Sequence, residues 1–143
     1  MKVKIAILAL VFVAGCGQTY RSTLITPQKI SGTPKIKIEP IACNNPGGKA
    51  ILEESLKQEF RKKGYIITDS NSDVVISGSA TISDNPWEYL TPAVVMAVIY
   101  FQDNNGLSYG SIKSKTGWAA SESPERFAKI IAKKISEKLQ NKP

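Results

Sequence analysis

The sequence predicts an α+β protein. It should be a two-layer α/β sandwich, a mixed sheet of about five strands with two helices on one face, in the order β-α-β-β-β-β-α. Three observations predict this. Two segments, 49–63 and 123–139, repeat apolar residues at helical spacing. Before and between them lie short runs rich in Val, Ile and aromatics, with the composition and spacing of strands. An Asn-Gly pair at Asn105-Gly106 joins two of those runs as a hairpin turn would. Two helices with a single apolar stripe each must bury it against a shared partner, and a sheet face is the simplest one.

The elements follow in order. Lys35-Ile36-Lys37-Ile38-Glu39-Pro40-Ile41 alternates polar and apolar residues, as a half-buried strand does, and Pro40 ends it or places it at an edge. Asn44-Asn45-Pro46-Gly47-Gly48 is a turn cluster. It is not a phosphate loop, because Ala50 stands where Gly48-Lys49 would need a Ser or Thr to follow. Lys49 to Lys63 is a helix with Leu52, Leu56 and Phe60 on one stripe and Ile51 beside it. Arg61, Lys62 and Lys63 suit the negative end of its dipole, and Gly64 suits its left-handed cap. Tyr65 to Thr68 is a short strand. Asp73 to Ser83 is a longer one, with Val74, Ile76, Ala80 and Ile82 on one face and Gly78 marking a bulge or a close approach. Ala93 to Phe101 is apolar on both faces and predicts a fully buried central strand. Gln102 to Gly106 turns the chain, with positive φ expected at Asn105 and Gly106, and Leu107 to Thr116 returns. Lys113 and Lys115 share one face of that strand, which fits an exposed or edge position. Ser123 as N-cap and Pro124 at the first helical position start the last helix, whose stripe is Phe127, Ile130, Ile131, Ile135 and Leu139.

The N-terminus has a different character. Lys2 and Lys4 precede an apolar run, Ile5 to Val13, and Val13-Ala14-Gly15-Cys16 follows. A positive region, an apolar region and small residues are the layout of a secretory signal. The apolar run is far short of the roughly 20 residues that a spanning helix needs. Small residues leading directly to a cysteine fit a lipidation site, with a thiol ready to take a diacylglyceryl group. The expected organisation is a signal peptide at 1–15, lipidated Cys16 and a flexible tether at 16–34, and one α/β domain at 35–143. The membrane partner is then reached through the acyl chains on Cys16.

Composition narrows the function classes. The chain has 19 Lys+Arg, 12 Asp+Glu and no His. Loss of Lys2 and Lys4 with the signal leaves 17 basic against 12 acidic residues, a formal charge of +5. Such a balance suits solubility, or attraction to anionic membrane, lipopolysaccharide or cell-wall polymer; an exported protein is not expected to meet nucleic acid. The absence of histidine removes Ser-His and Cys-His nucleophile pairs and histidine metal sites. No cofactor motif and no metal-ligand spacing is present. With Cys16 acylated, Cys43 has no intramolecular partner and reads as a small buried hydrophobe.

Three pieces carry a family resemblance. They are Ile36 to Ile41 with its loop and the helix ending near Gly64, the strand Asp73-Val74-Val75-Ile76-Ser77-Gly78-Ser79-Ala80, and the long hairpin with Asn-Gly at its tip before a terminal helix. Together they resemble a group of envelope lipoproteins: the curli-secretion-channel family (CsgG), the penicillin-binding-protein activator family (LpoB) and the N-terminal domain of the Tol translocation protein TolB. The resemblance implies binding and assembly at the cell envelope without catalysis. Curli-channel proteins carry extra amphipathic hairpins for a barrel; here one candidate hairpin is present, and its Ala93–Phe101 arm lacks the alternation of a barrel wall. By resemblance to proteobacterial lipoproteins, Gly17 after the lipidated cysteine implies the outer membrane, with the domain facing the periplasm.

Candidate sites follow from the residues. Trp87, Tyr89 and Leu90 in the 84–92 loop, with Trp118 and Tyr109 nearby, form either a partner-binding anchor or a cap on the end of the sheet. Lys113, Lys115, Lys129, Lys133 and Lys134, with Lys138, form either a solvated face or a patch for an anionic surface or glycan. Asp84 and Glu88 are the one carboxylate pair in an aromatic loop, the minimum a glycan hydrolase would need. The expected function is that of an outer-membrane lipoprotein serving as a non-catalytic accessory or binding subunit of an envelope assembly or secretion process. An oligomeric channel component and a peptidoglycan hydrolase are the alternatives.

Overall fold

A computed structural model describes residues 19–24, 32–84, 92–115 and 122–140. Within them the expected α+β sandwich is present: one mixed sheet with two helices. The strands are β1 (Thr19–Leu24), β2 (Lys35–Ile38), β3 (Ala42–Cys43), β4 (Ile66–Ile67), β5 (Val74–Ser83), β6 (Ala93–Gln102) and β7 (Ser108–Lys115). The helices are α1 (Pro46–Lys62) and α2 (Pro124–Leu139). The sheet runs β1-β7-β6-β5-β2-β4, with β3 also paired to β5. Thus seven strands stand where about five were expected. None of the described helices is long and apolar enough to cross a membrane, which says nothing of crossing by strands.

The added strands are the ones that carry no local signal. β1 lies inside the segment read as a tether. Its sequence, Thr-Tyr-Arg-Ser-Thr-Leu, has too few apolar residues to show a period, and the strand exists because β7 offers it a ladder of antiparallel partners from Thr19↔Lys115 to Leu24↔Gly110. One side chain secures it: the Tyr20 ring stacks on Phe127 of α2 with centroids 6.1 Å apart. β3 is two residues long, and the Asn44 side chain continues its pairing with β5. Asn44 Oδ1 accepts from the Ile82 N–H at 2.8 Å and Nδ2 donates to the Ile82 carbonyl at 3.1 Å. The register of β5 on β6 shifts beside that clamp, between Thr81 and Ile82.

The helix ends show how sequence chemistry sets boundaries. α1 begins at Pro46 and not at Lys49, so the Asn-Pro-Gly-Gly cluster is a helix start. Asn45 is the N-cap, its Oδ1 accepts the Gly48 N–H at 2.9 Å, and Pro46 fills a position whose N–H needs no partner. Gly48 is required by packing: a Cβ there would lie 2.9 Å from two carbons of Ile82. Gly64 has φ +90° after the helix, as its cap position demands. Ser123 caps α2 by accepting from the Arg126 N–H at 3.3 Å, with Pro124 following. In the β6–β7 turn only Gly106, at φ +87°, takes a positive angle; Asn105 does not. The Asp103 carboxylate shapes this turn, accepting from the N–H groups of Asn105 at 2.9 Å and Leu107 at 2.8 Å.

The core lies between the sheet and the helices. Ile36, Val74, Ile76, Ile82, Ile99, Phe101 and Ile112 meet Leu52, Leu56 and Phe60 of α1 and Phe127, Ile131 and Ile135 of α2, all fully buried. Fully burying each such side chain contributes about 1.5–3 kcal/mol. β6 was expected to be buried on both faces, and it is not. Ala97, Ile99 and Phe101 are buried, while Met96 is 51 % and Tyr100 46 % exposed. Both helices pack on one side, so among the described residues no layer covers the opposite face of the sheet. β7, in turn, is not an edge, because β1 lies outside it.

Candidate functional site

The uncovered face is built by register. Across β5, β6 and β7 the outward residues form three rows, Thr81–Met96–Lys115, Ser79–Val98–Lys113 and Ser77–Tyr100–Ser111, and β1 continues their register at Thr19, Arg21 and Thr23. Read along the strands, β5 contributes a hydroxyl stripe, β6 an apolar stripe, and β7 and β1 together three cations. No carboxylate occupies any of these positions. Among the described residues neither Arg21 nor Lys113 has an ion-pair partner. A shallow depression of about 300 Å³ lies over the first two rows, floored by Met96 and Val98 and rimmed by Arg21, Lys113 and Lys115. Chemically this is a surface that attracts anions and also offers apolar contact.

The cationic side of this face is fixed from behind. Tyr20 points inward from β1, opposite Ser114, with the Lys134 ammonium 5.4 Å from its ring centre. Burial raises the Tyr20 hydroxyl from 10.0 to about 12; the Glu122 carboxylate adds to the rise, while Arg126 and Ser114 oppose it. Glu122 is held by Arg126, Oε2 to Nε 2.9 Å, and its carbonyl accepts the Val94 N–H at 2.9 Å.

The sequence-predicted sites are distributed as follows. Lys113 and Lys115 lie on the open face. Lys129, Lys133 and Lys134 lie on α2, in the other layer, so the five lysines do not make one patch. Lys133 sits 4.0 Å from Glu137 on its own helix, and Lys134 lies over the inward-facing Tyr20 ring of β1, so both are engaged away from the open face. Tyr109 is 6 % exposed and sits at the Gln102 end of the sheet, whereas the 85–91 loop joins β5 and β6 at the Ser83/Ala93 end. It is a core residue and no part of an aromatic loop site. Asp84 is exposed at the end of β5. Cys16, Trp87, Glu88, Tyr89, Leu90 and Trp118 lie outside the described residues. Cys43 is half-buried, its Sγ 3.5 Å from the Asn45 carbonyl.

Arg21, Met96, Val98 and Tyr100 were not anticipated. Arg21 stood in a segment read as a tether. The β6 residues stood in a run whose continuous hydrophobicity hid which side faces out. A second depression, of about 410 Å³, lies between β2 and α1 beside Lys37, Glu39, Glu53, Lys57 and Asp69. Its charges are largely used internally. Glu53 Oε1 accepts the Ile41 N–H at 2.7 Å and sits 3.8 Å from Lys49 Nζ, and Lys37 sits 3.6 Å from Glu39. No group of three or more Cys, Asp or Glu among the described residues is arranged to hold a metal ion.

Comparison with known proteins places the fold. No protein-family model and no curated protein matches the chain. Among solved structures, the PelC dodecamer from Paraburkholderia phytofirmans is similar over 86 % of this chain and 98 % of its own, with 22 % identity and a TM-score of 0.58. A DUF4136 family protein from Bacteroides thetaiotaomicron is similar over 87 % and 98 %, with 10 % identity and a TM-score of 0.58. A PDZ domain protein from Parabacteroides distasonis is similar over 85 % of this chain but 36 % of its own, with 13 % identity and a TM-score of 0.51. At such identities the likeness is one of fold, and this chain is similar in fold to all three.

Proposed function

We propose that the chain is a lipoprotein of the bacterial outer membrane, anchored through acyl chains on Cys16 and facing the periplasm. There it acts as a non-catalytic binding subunit of an envelope assembly. The observation that carries the binding role is the uncovered sheet face, where Met96, Val98 and Tyr100 run beside Arg21, Lys113 and Lys115. A domain with no further role would gain by making that stripe polar, so its apolar character favours a contact. The absence of histidine from the whole chain removes hydrolysis by a serine–histidine or cysteine–histidine pair and leaves the carboxylate pair as the one hydrolytic route. The resemblance to envelope lipoproteins points the same way.

The test has two parts. Growth with an alkyne-tagged palmitate should label the wild-type protein and not Cys16→Ser. Affinity capture of the lipidated protein from its own envelope should then retain an envelope protein, and Trp87→Ala and Val98→Asp copies should show which surface holds it. Loss of labelling in neither variant nor wild type, or a wild type that never labels, would refute the anchor. Capture of nothing but peptidoglycan fragments, shortened over time by wild type and not by Asp84→Asn, would favour the hydrolase instead.

A second reading is favoured by one observation. PelC, similar in fold over nearly its whole length, is a dodecamer. β6 alternates in burial but not in residue type, so the missing apolar–polar alternation of a barrel wall still stands, and the dodecamer alone favours an oligomeric secretion-channel component. Light scattering on the detergent-solubilised protein separates the readings: a ring-sized particle supports the oligomer, and a monomer at high concentration rules it out.

A further inference from the structure

We propose that the open face of the sheet docks on the anionic phospholipid surface that holds Cys16, so that the domain lies on the membrane through Arg21, Lys113, Lys115 and the Met96–Val98–Tyr100 stripe. The proposal rests on the lipid anchor proposed above and adds an orientation to it.

Chain length carries the first half of the argument. β1 begins at Thr19, so two residues, Gly17 and Gln18, stand between that strand and Cys16 in the sequence. Three extended Cα steps span at most about 11 Å. The expected tether of nearly twenty residues would have let the domain float in any orientation; a two-residue link does not. It holds the Thr19 end of β1 near the lipid headgroups, and Thr19 is paired with Lys115, which is paired with Met96. The row at the anchored end of the open face is therefore the one that already carries a cation and an exposed apolar side chain.

Charge carries the second half. Arg21 and Lys113 are directly paired one row further from the anchor, on the same face. At physiological ionic strength screening acts over roughly 8 Å, so cations this close to the headgroups feel them strongly. The face has three cations and no carboxylate among its twelve register positions. The α2 face behaves differently: its lysines alternate with Glu125 and Glu137, and Lys133 is set beside Glu137. Long basic side chains can lay their methylenes along an apolar surface while the charge reaches phosphate, and a tyrosine ring suits the interfacial zone. Three basic residues at the surface raise the occupancy of a docked state on the order of a hundredfold.

The experiment uses the full-length lipidated protein with Cys43→Ala and one reporter cysteine, either Ser79→Cys on the open face or Lys133→Cys on α2. Lipidation of Cys16 is checked by intact mass. Each protein is placed in detergent, in vesicles of pure phosphatidylcholine, and in vesicles of equimolar phosphatidylglycerol and phosphatidylcholine. The rate of reaction with a charged, membrane-impermeant maleimide is then measured. In anionic vesicles Ser79→Cys should react at least about tenfold more slowly than in detergent, while Lys133→Cys keeps its rate. In neutral vesicles, or after R21A/K113A/K115A, the slowing of Ser79→Cys should largely disappear. Equal Ser79→Cys rates in anionic vesicles and detergent, on protein whose Cys16 is lipidated, would overturn the docking and leave the anchor standing. Equal protection in anionic vesicles, neutral vesicles and detergent would overturn it in favour of a second copy of this chain covering the face. A mass without lipid would remove the anchor and the docking with it.

Discussion

The Tyr65 hydroxyl lies 2.8 Å from the Ser136 hydroxyl in a buried contact between residues 71 positions apart. It ties the exit of α1 to the last turn of α2, and the Gln140 side-chain amide reaches both oxygens at 3.4 Å. The Tyr65 ring also meets Phe60 edge-on, with centroids 5.6 Å apart. The helical layer is thus held together by a polar clasp as well as by apolar packing. Tyr65→Phe should lower unfolding stability by about 1 kcal/mol, because it deletes one buried hydroxyl and leaves Ser136 with Gln140 alone. In urea the midpoint should fall with an unchanged slope. Tyr65→Phe combined with Ser136→Ala should cost at least about 0.5 kcal/mol less than the sum of the two single changes.

Gly78 sits mid-strand at φ +155°, where a Cβ would lie 2.1 Å from the Val98 carbonyl oxygen on β6. The close approach that an in-strand glycine suggested is therefore real, while the register shift falls three residues on, between Thr81 and Ile82. Backbone strain and forced separation of two central strands each cost about 1–3 kcal/mol. Gly78→Ala should destabilise the protein by about 3 kcal/mol or more. Ser79→Ala, one residue away and pointing outward, should stay within about 0.5 kcal/mol of wild type. Thermal melts of the two variants test the contrast.

β6 has one buried and one open face, so its apolar residues should not be equivalent. Ile99→Ala removes a fully buried side chain and should cost about 2–5 kcal/mol. Tyr100→Ser and Met96→Ser change exposed positions and should cost within about 0.5 kcal/mol. Comparable losses at Ile99 and Tyr100 in chemical denaturation would mean that a layer covers the open face.

The Tyr20 hydroxyl gives stability a dependence on alkaline pH. Burial raises it from 10.0 to about 12, so the folded state keeps a proton that the unfolded chain releases. The neutral form's contribution is complete below pH 10 and is lost as pH rises from about 10 to about 12. Tyr20→Phe should flatten that decline. Part should remain, because burial and the nearby Asp103 and Asp73 carboxylates raise Tyr109 in the same direction. Denaturation midpoints at pH 9, 10 and 11 should diverge for wild type more than for Tyr20→Phe.

Much of this architecture is written in short-range chemistry. Leu52, Leu56 and Phe60 four apart, Phe127, Ile131 and Ile135 along α2, Ser123-Pro124 at a helix start and Gly64 at a helix end each impose a local conformation whatever surrounds them. The alternation of Val74, Ile76, Ala80 and Ile82 likewise assigns β5 its buried face. The Val13-Ala14-Gly15-Cys16 motif and the lack of histidine are also legible residue by residue. What only the tertiary structure decided depends on partners distant in sequence. β1 is a strand because β7, some ninety residues later, has an unpaired edge to offer. Among the described residues the outward side of β6 is open because both helices pack on the other face of the sheet, and nothing within Ala-Val-Val-Met-Ala-Val-Ile-Tyr-Phe distinguishes its two sides. For the same reason the five lysines that look alike in sequence divide between two layers, and Arg21 joins Lys113 and Lys115. Register between strands, a non-local quantity, puts those three cations on one surface beside an apolar stripe.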